Sequence, residues 1–181
     1  MADMLVKLYD LPEAAPLLSS LKETGIEIRQ ARPTDKRFVT QWVRRIFSDS
    51  WAEECGAAIG QRPITCHIAV EKQTGTIPRS GHYDLPGEVL TGFACYDVVS
   101  RGMFGPEGVH PDFRGRGIGK ALLLTCLCAM KADRYAYAVI GWAGPADFYA
   151  KTVGATIIEG SEPGIYRGKL TELKPTDRRQ I

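Results

Sequence analysis

The chain predicts a mixed α/β (α+β) fold, in which one mixed central sheet carries helices on both faces. Three observations point there. Segments that alternate apolar and polar residues are interleaved with segments of helical periodicity. A cluster of glycines runs out of a strand straight into an apolar helix. After that helix a second strand returns parallel to the first, as a crossover requires.

The first 24 residues carry Leu17, Leu18 and Leu21 on one helical stripe and are read as an appended helical extension. An interface on that stripe, and with it a homodimer, is left open. "GIEIRQA", residues 25–31, alternates as a strand does, and Pro33 and Asp35 supply the turn and cap for the next helix. That helix is "KRFVTQWVRRIF", whose periodicity puts Phe38, Trp42, Val43 and Ile46 on the inner face and Arg44 and Arg45 toward solvent. A second short helix is expected over residues 50–59.

"ITCHIAVE" (64–71) and "EVLTGFACYDVV" (88–99) read as strands joined by an irregular, Pro/Gly-rich hairpin loop, of a length that is often functional. Strands are also expected over 102–109 and 136–142. Between them a helix from 116 to about 132 is apolar nearly all round at Leu122, Leu123, Leu124, Leu127 and Met130, which places it against a sheet. Residues 25–170 make one domain, and 171–181, "TELKPTDRRQI", form a polar tail.

At 181 residues the chain suits a single domain. Its net charge of +2 gives no argument for nucleic acid, and no apolar run reaches the ~20 residues of a membrane span. The start, with its acids and prolines, lacks the pattern of a signal peptide. The five cysteines are read as reduced, in a cytoplasmic protein, since Cys126 and Cys128 meet neither disulfide nor zinc spacing. No metal is expected.

The most informative stretch is "VHPDFRGRGIGKALLL", residues 109–124. Gly115, Gly117 and Gly119 let the backbone bend and come close to a ligand. The adjoining helix presents free N–H groups and a positive dipole end, a combination suited to phosphate. A nucleotide P-loop would need glycine where Arg114 stands and a hydroxyl where Ala121 stands. A dinucleotide fingerprint would need glycine at Lys120.

What fits is Arg114-Gly115-Arg116-Gly117-Ile118-Gly119, in the pattern [QR]-x-x-G-x-[GA]. This resembles the acetyl-coenzyme A pyrophosphate loop of the GNAT superfamily of N-acyltransferases. Two later segments match the same family in order: the strand-like "AYAVIGWAG" (136–144), and "PADFYAKTVGA" (145–155), similar to its "A-x-x-F-Y-x-K-x-G" helix. The resemblance covers residues 27–169 in topology and is sharpest over 107–155.

It implies that two parallel strands splay apart and that the pantetheine arm of acetyl-CoA threads the gap, touching backbone at Gly108 and Val109. It also implies a cofactor-binding set of Arg114, Gly115, Arg116, Gly117, Ile118, Gly119 and Lys120, with Trp142 at the end of the second splayed strand, where the family often has asparagine. Lys120 is unfavourable beside the helix dipole unless an anion offsets it.

The reaction so implied moves an acetyl group from a thioester to a primary amine. An aliphatic amine with a pKa near ~10 must lose a proton at about 1.4 kcal/mol per unit, so a base belongs near the splay. The leaving sulfur needs an acid. Tyr149 occupies the family's tyrosine position and is the candidate acid. Glu107 and His110 are the candidates for the base, His110 for its intrinsic pKa.

For the acceptor, a small-molecule amine, the residues considered are Trp51, Glu53, Glu54, Tyr83, Asp84, Tyr96 and Asp97. An alternative class is a CoA-binding regulatory or interaction module without turnover.

Overall fold

In the computed structural model, described over residues 1–72 and 87–166, the chain runs β1 (Met4–Lys7), α1 (Ala15–Glu23), β2 (Ile26–Gln30), α2 (Lys36–Ile46), α3 (Asp49–Gly60), β3 (Cys66–Lys72), β4 (Glu88–Tyr96), β5 (Met103–Val109), α4 (Ile118–Ala132), β6 (Tyr137–Ile140), α5 (Ala146–Val153) and β7 (Thr156–Ile157). The strands form one sheet in the order β2-β3-β4-β5-β6-β1-β7. The β5–β6 pair is parallel and the others are antiparallel. This is the mixed sheet with helices on both faces that the sequence predicts. The loop with Tyr83 and Asp84, and the polar tail, lie outside the described residues.

Side-chain alternation along the central strands divides the core in two. Ala94 and Tyr96 of β4 join α1, α4 and α5 on one face, while Phe93 and Cys95 join α2 and α3 on the other. Helix α4 lies so close to the sheet that a Cβ on Gly92 would sit 3.0 Å from Leu122 Cδ1 and 3.3 Å from Ile118 Cγ2. That contact fixes where the first turn of α4 stands relative to β5.

On α2 the inner stripe is Val39, Trp42 and Val43, with Ile46 partly covered, and Phe38 is 61% exposed. The expected inner face is one position off: Val39 is i−3, i−4 and i−7 to Trp42, Val43 and Ile46, whereas Phe38 falls at the edge of that stripe. Arg44 faces solvent as expected and pairs with Asp49 and Glu53.

The N-terminal segment does more than append a helix. Helix α1 forms, with Leu21 buried, but Met4–Lys7 enters the sheet between β6 and β7. A four-residue segment with three apolar residues has too little periodicity to separate strand from helix.

Candidate active site

The site begins with a failure of two strands to stay paired. β5 and β6 are joined in register only at Met103↔Val139 and Phe104↔Ile140. Beyond that, β5 continues along β4 through Glu107↔Ala94, Gly108↔Phe93 and Val109↔Gly92, while β6 ends at Ile140. Residues at the parting explain it: Gly105 has φ +119°, and Pro106 has no N–H to offer a neighbour. A cleft of about 890 Å³ opens there, bounded by β5, the start of α4, the 141–145 turn and α5, with Trp51 and Glu54 of α3 also on its wall.

The glycine cluster forms one wall. Gly115 and Gly117 have φ of +77° and +82°, conformations that side chains rarely adopt, and Gly117 is the N-cap of α4. A Cβ on Gly117 would also lie 3.3 Å from Leu17 Cδ1 of α1. The helix starts with no capping side chain, so the amides of Ile118, Gly119 and Lys120 have no intrahelical acceptor. Gly115, Gly117, Ile118, Gly119 and Lys120 all line the cleft. Diphosphate chemistry fits this cradle: bare amides, a positive helix end and no Cβ in the way.

The arginines divide. Arg114 lines the cleft, and its Nε donates to the Val109 carbonyl at 3.2 Å, tying the loop to the end of β5. Arg116 turns elsewhere, with Nη2 at 2.7 Å from Glu71 Oε1 and its guanidinium 5.3 Å from the centre of the Phe113 ring. Only its backbone is left for the loop. Gly108 and Val109 both line the cleft, and Gly108 is glycine because a Cβ there would lie 2.5 Å from the Phe47 ring.

Glu107 reaches the cleft from β5. Its Oε1 is shut off from solvent, without a hydrogen-bond partner, and stands 3.5 Å from where a Cβ on Gly119 would be. Burial pushes this carboxyl up to about 8, and a hydrogen bond from the Tyr149 phenol holds it below where burial alone would take it. Tyr149, on α5 and 8% exposed, has its own pKa raised, by burial first and then by the Glu107 charge. The phenol therefore keeps its proton at any working pH.

His110 does not join this pair. It caps the turn after β5, Nδ1 accepting from the Asp112 amide at 3.3 Å, and packs among Trp42 and Phe113 rather than on the cleft wall. Trp142 lines the cleft in a left-handed conformation, φ +46°, and its amide donates to Asp3 Oδ1 at 2.9 Å.

Of the acceptor residues considered, Trp51 and Glu54 line the cleft. Glu53 pairs with Arg44 on the surface. Tyr96 is buried against His67 and donates to Asp133, and Asp97 accepts from the Gly102 amide and the Tyr135 phenol. Those last two hold the fold. The sequence expectation omits Phe113 and Phe148 on the cleft wall, and Asp3 behind it. Gly105-Pro106 inside a strand is a signal of the parting available in the sequence.

Over residues 37–154 the chain matches the acetyltransferase (GNAT) family, and it belongs to that family. Among solved structures it is similar to the GCN5-related glucosamine N-acetyltransferase region of a fungal multi-domain GH3 β-N-acetylglucosaminidase, with 13% identity and a TM-score of 0.65 over 87% of this chain and 19% of that one. It is also similar to a GCN5-related N-acetyltransferase from Sphaerobacter thermophilus, with 20% identity and a TM-score of 0.58 over 87% of this chain and 48% of that one. The chain thus spans less than half the length of either protein, and at these identities the likeness speaks for the fold alone. Among curated proteins no match is found.

Proposed function

We propose that this protein transfers an acetyl group from acetyl-CoA to a primary amine of a small-molecule acceptor, by direct attack in a ternary complex. The observation that carries the reading is the buried Glu107 carboxyl, with one oxygen unpartnered, beside the Tyr149 phenol and beneath the bare amides of α4.

Acetyl-CoA supplies the activated thioester. The amides of Ile118, Gly119 and Lys120 hold its diphosphate, with the backbone of Gly115, Arg116 and Gly117 shaping the loop and the Arg114 and Lys120 side chains adding positive charge. Glu107, once ionised, takes the proton from the amine nitrogen. A base near pH 8 is matched to that task far better than an ordinary carboxylate. Tyr149 gives its phenolic proton to the departing sulfur and regains one as the site turns over. Glu107 is favoured over His110 because only Glu107 faces the cleft.

Release of free thiol from acetyl-CoA across a library of amines tests this directly. Thiol release with at least one amine, lost in Glu107→Gln, is the expected result. No release with any amine, while CoA still raises the melting temperature, would leave a binding module without turnover.

A further inference from the structure

Three cysteines far apart in the chain meet in the second half of the core, away from the cleft. Cys66 of β3 and Cys95 of β4 are a cross-strand pair, and Cys55 of α3 comes down on them. All three are 0% exposed and carry free thiols. Their sulfurs lie within 4.8 Å of one another, and Cys55 Sγ and Cys66 Sγ are 3.8 Å apart.

Three sulfurs at ~2.3 Å from one metal ion stand about 3.8 to 4.0 Å apart, depending on whether the angles are tetrahedral or trigonal. The cluster is therefore already near a ligating arrangement. Thiol sulfur selects soft ions. Among the described residues no fourth His, Cys, Asp or Glu joins the group, which leaves a closed tetrahedral zinc set one ligand short.

Charge narrows the ion further. An apolar core accepts a neutral assembly and penalises a charged one. A monovalent cation that replaces one thiol proton leaves the net charge of the core unchanged, whereas a divalent ion would need two protons removed. Cys55 Sγ and Cys66 Sγ already share a hydrogen bond at 3.8 Å, so one S–H proton lies between the two sulfurs where the ion would sit. With that proton displaced by the ion, one thiolate and two neutral thiols remain as its ligands.

We propose that Cys55, Cys66 and Cys95 form a three-sulfur site for a soft monovalent cation, Cu(I) being the ion of that class. Cys55 shares helix α3 with Trp51 and Glu54 of the cleft wall. A bound ion would clamp that helix to β3 and β4.

The test is a titration of the full chain with Cu(I) against a competing Cu(I) chelator, in a Cys128→Ser background, since Cys128 is an exposed free thiol that would compete for the ion. One equivalent is expected, with copper-edge X-ray absorption showing three sulfur neighbours and no nitrogen, and with a rise in melting temperature. Cys66→Ser should weaken uptake at least tenfold, and Cys126→Ser should leave it unchanged. Cys126 lies 3.5 Å from His67 Nδ1 and is the competing ligand pair, which a nitrogen neighbour in the spectrum would reveal. Uptake below one equivalent, a nitrogen neighbour, or undiminished uptake in Cys66→Ser would overturn the proposal. Should Cys66→Ser fail to fold, Cys55→Ala takes its place, and the absorption spectrum of the Cys128→Ser protein decides by itself.

Discussion

The Glu107 carboxyl and the Tyr149 phenol share one enclosed corner where β5 and β6 part, and their protonation states are tied: the phenol's hydrogen bond favours the carboxylate, and the carboxylate keeps the phenol protonated. One environment thus moves two kinds of group in ways that suit the base and acid roles proposed for them. Glu107→Gln should lower turnover by about 10²-fold or more, as loss of a positioned base does. In the unaltered protein kcat/KM for the amine should climb with pH to an inflection near 8. A flat profile between pH 6 and 9 would remove Glu107 from the proton path.

The same residue has a signature in stability that does not depend on any substrate. Its folded pKa, about 8, lies above the ordinary value of 4.5, so the folded state retains a proton that the unfolded state has released. The contribution is fully present below pH 4.5 and is lost as pH rises through 8. Glu107→Gln should cancel that loss, so the variant should equal or exceed the parent in melting temperature at pH 9 by an amount that vanishes at pH 4. A variant less stable at pH 9 than at pH 4 relative to its parent would contradict the burial of this carboxyl.

Tyr149→Phe removes the proton donor but keeps the ring that packs beside Phe148. Turnover should fall by about 10²-fold or more, as loss of a positioned acid does, while the melting-temperature rise on adding CoA is kept. It should also move the Glu107 inflection upward, because the hydrogen bond that holds that carboxyl down is gone. Unchanged turnover with unchanged inflection would make the tyrosine a packing residue.

Gly117→Val confronts a backbone φ of +82° and a Leu17 methyl 3.3 Å from the new Cβ. The first turn of α4 must shift, and its amides with it. A ligand at 100 times its Kd adds about 2.7 kcal/mol of stability. Scanning calorimetry should find that increment with CoA in the parent and none in the variant. Gly115→Ala is the milder control: φ is +77° but nothing lies within 4 Å of the added carbon, so strain of about 1 kcal/mol is expected with binding weakened and not abolished.

Much of this is legible in the sequence where one local rule acts alone. The glycine loop, the apolar helix behind it and the Tyr149 helix are each contiguous, and periodicity or register marks them. Phe38 is misplaced by periodicity because several nearly equivalent stripes can be drawn on one short helix, and tertiary packing chooses the one through Val39. β1 escapes such a reading because its pairing partners lie about 130 residues away, at Tyr137 and beyond. The three-cysteine cluster escapes for the same reason. Metal spacing along a chain detects ligands on one loop or helix, and these come from α3, β3 and β4.

Asp3 is the clearest case of a site residue that sequence order conceals, and it yields the last test. Its carboxylate accepts the Trp142 amide, and its own amide donates to Ser161 Oγ at 2.8 Å, so the start of β1 ties the turn on the cleft wall to the segment after β7. Trp142 is held at φ +46°, which a non-glycine residue adopts only when its surroundings hold it there. Asp3→Ala removes a buried carboxylate that accepts that amide and should cost about 1–3 kcal/mol. It should also raise KM for acetyl-CoA more than it lowers kcat, because Trp142 and Gly144 line the cleft while Glu107 and Tyr149 are untouched. Asp3→Asn keeps an acceptor oxygen and should restore both stability and KM. If Asp3→Asn behaves like Asp3→Ala, then the charge and not the hydrogen bond holds the turn, and the constraint on Trp142 must come from elsewhere.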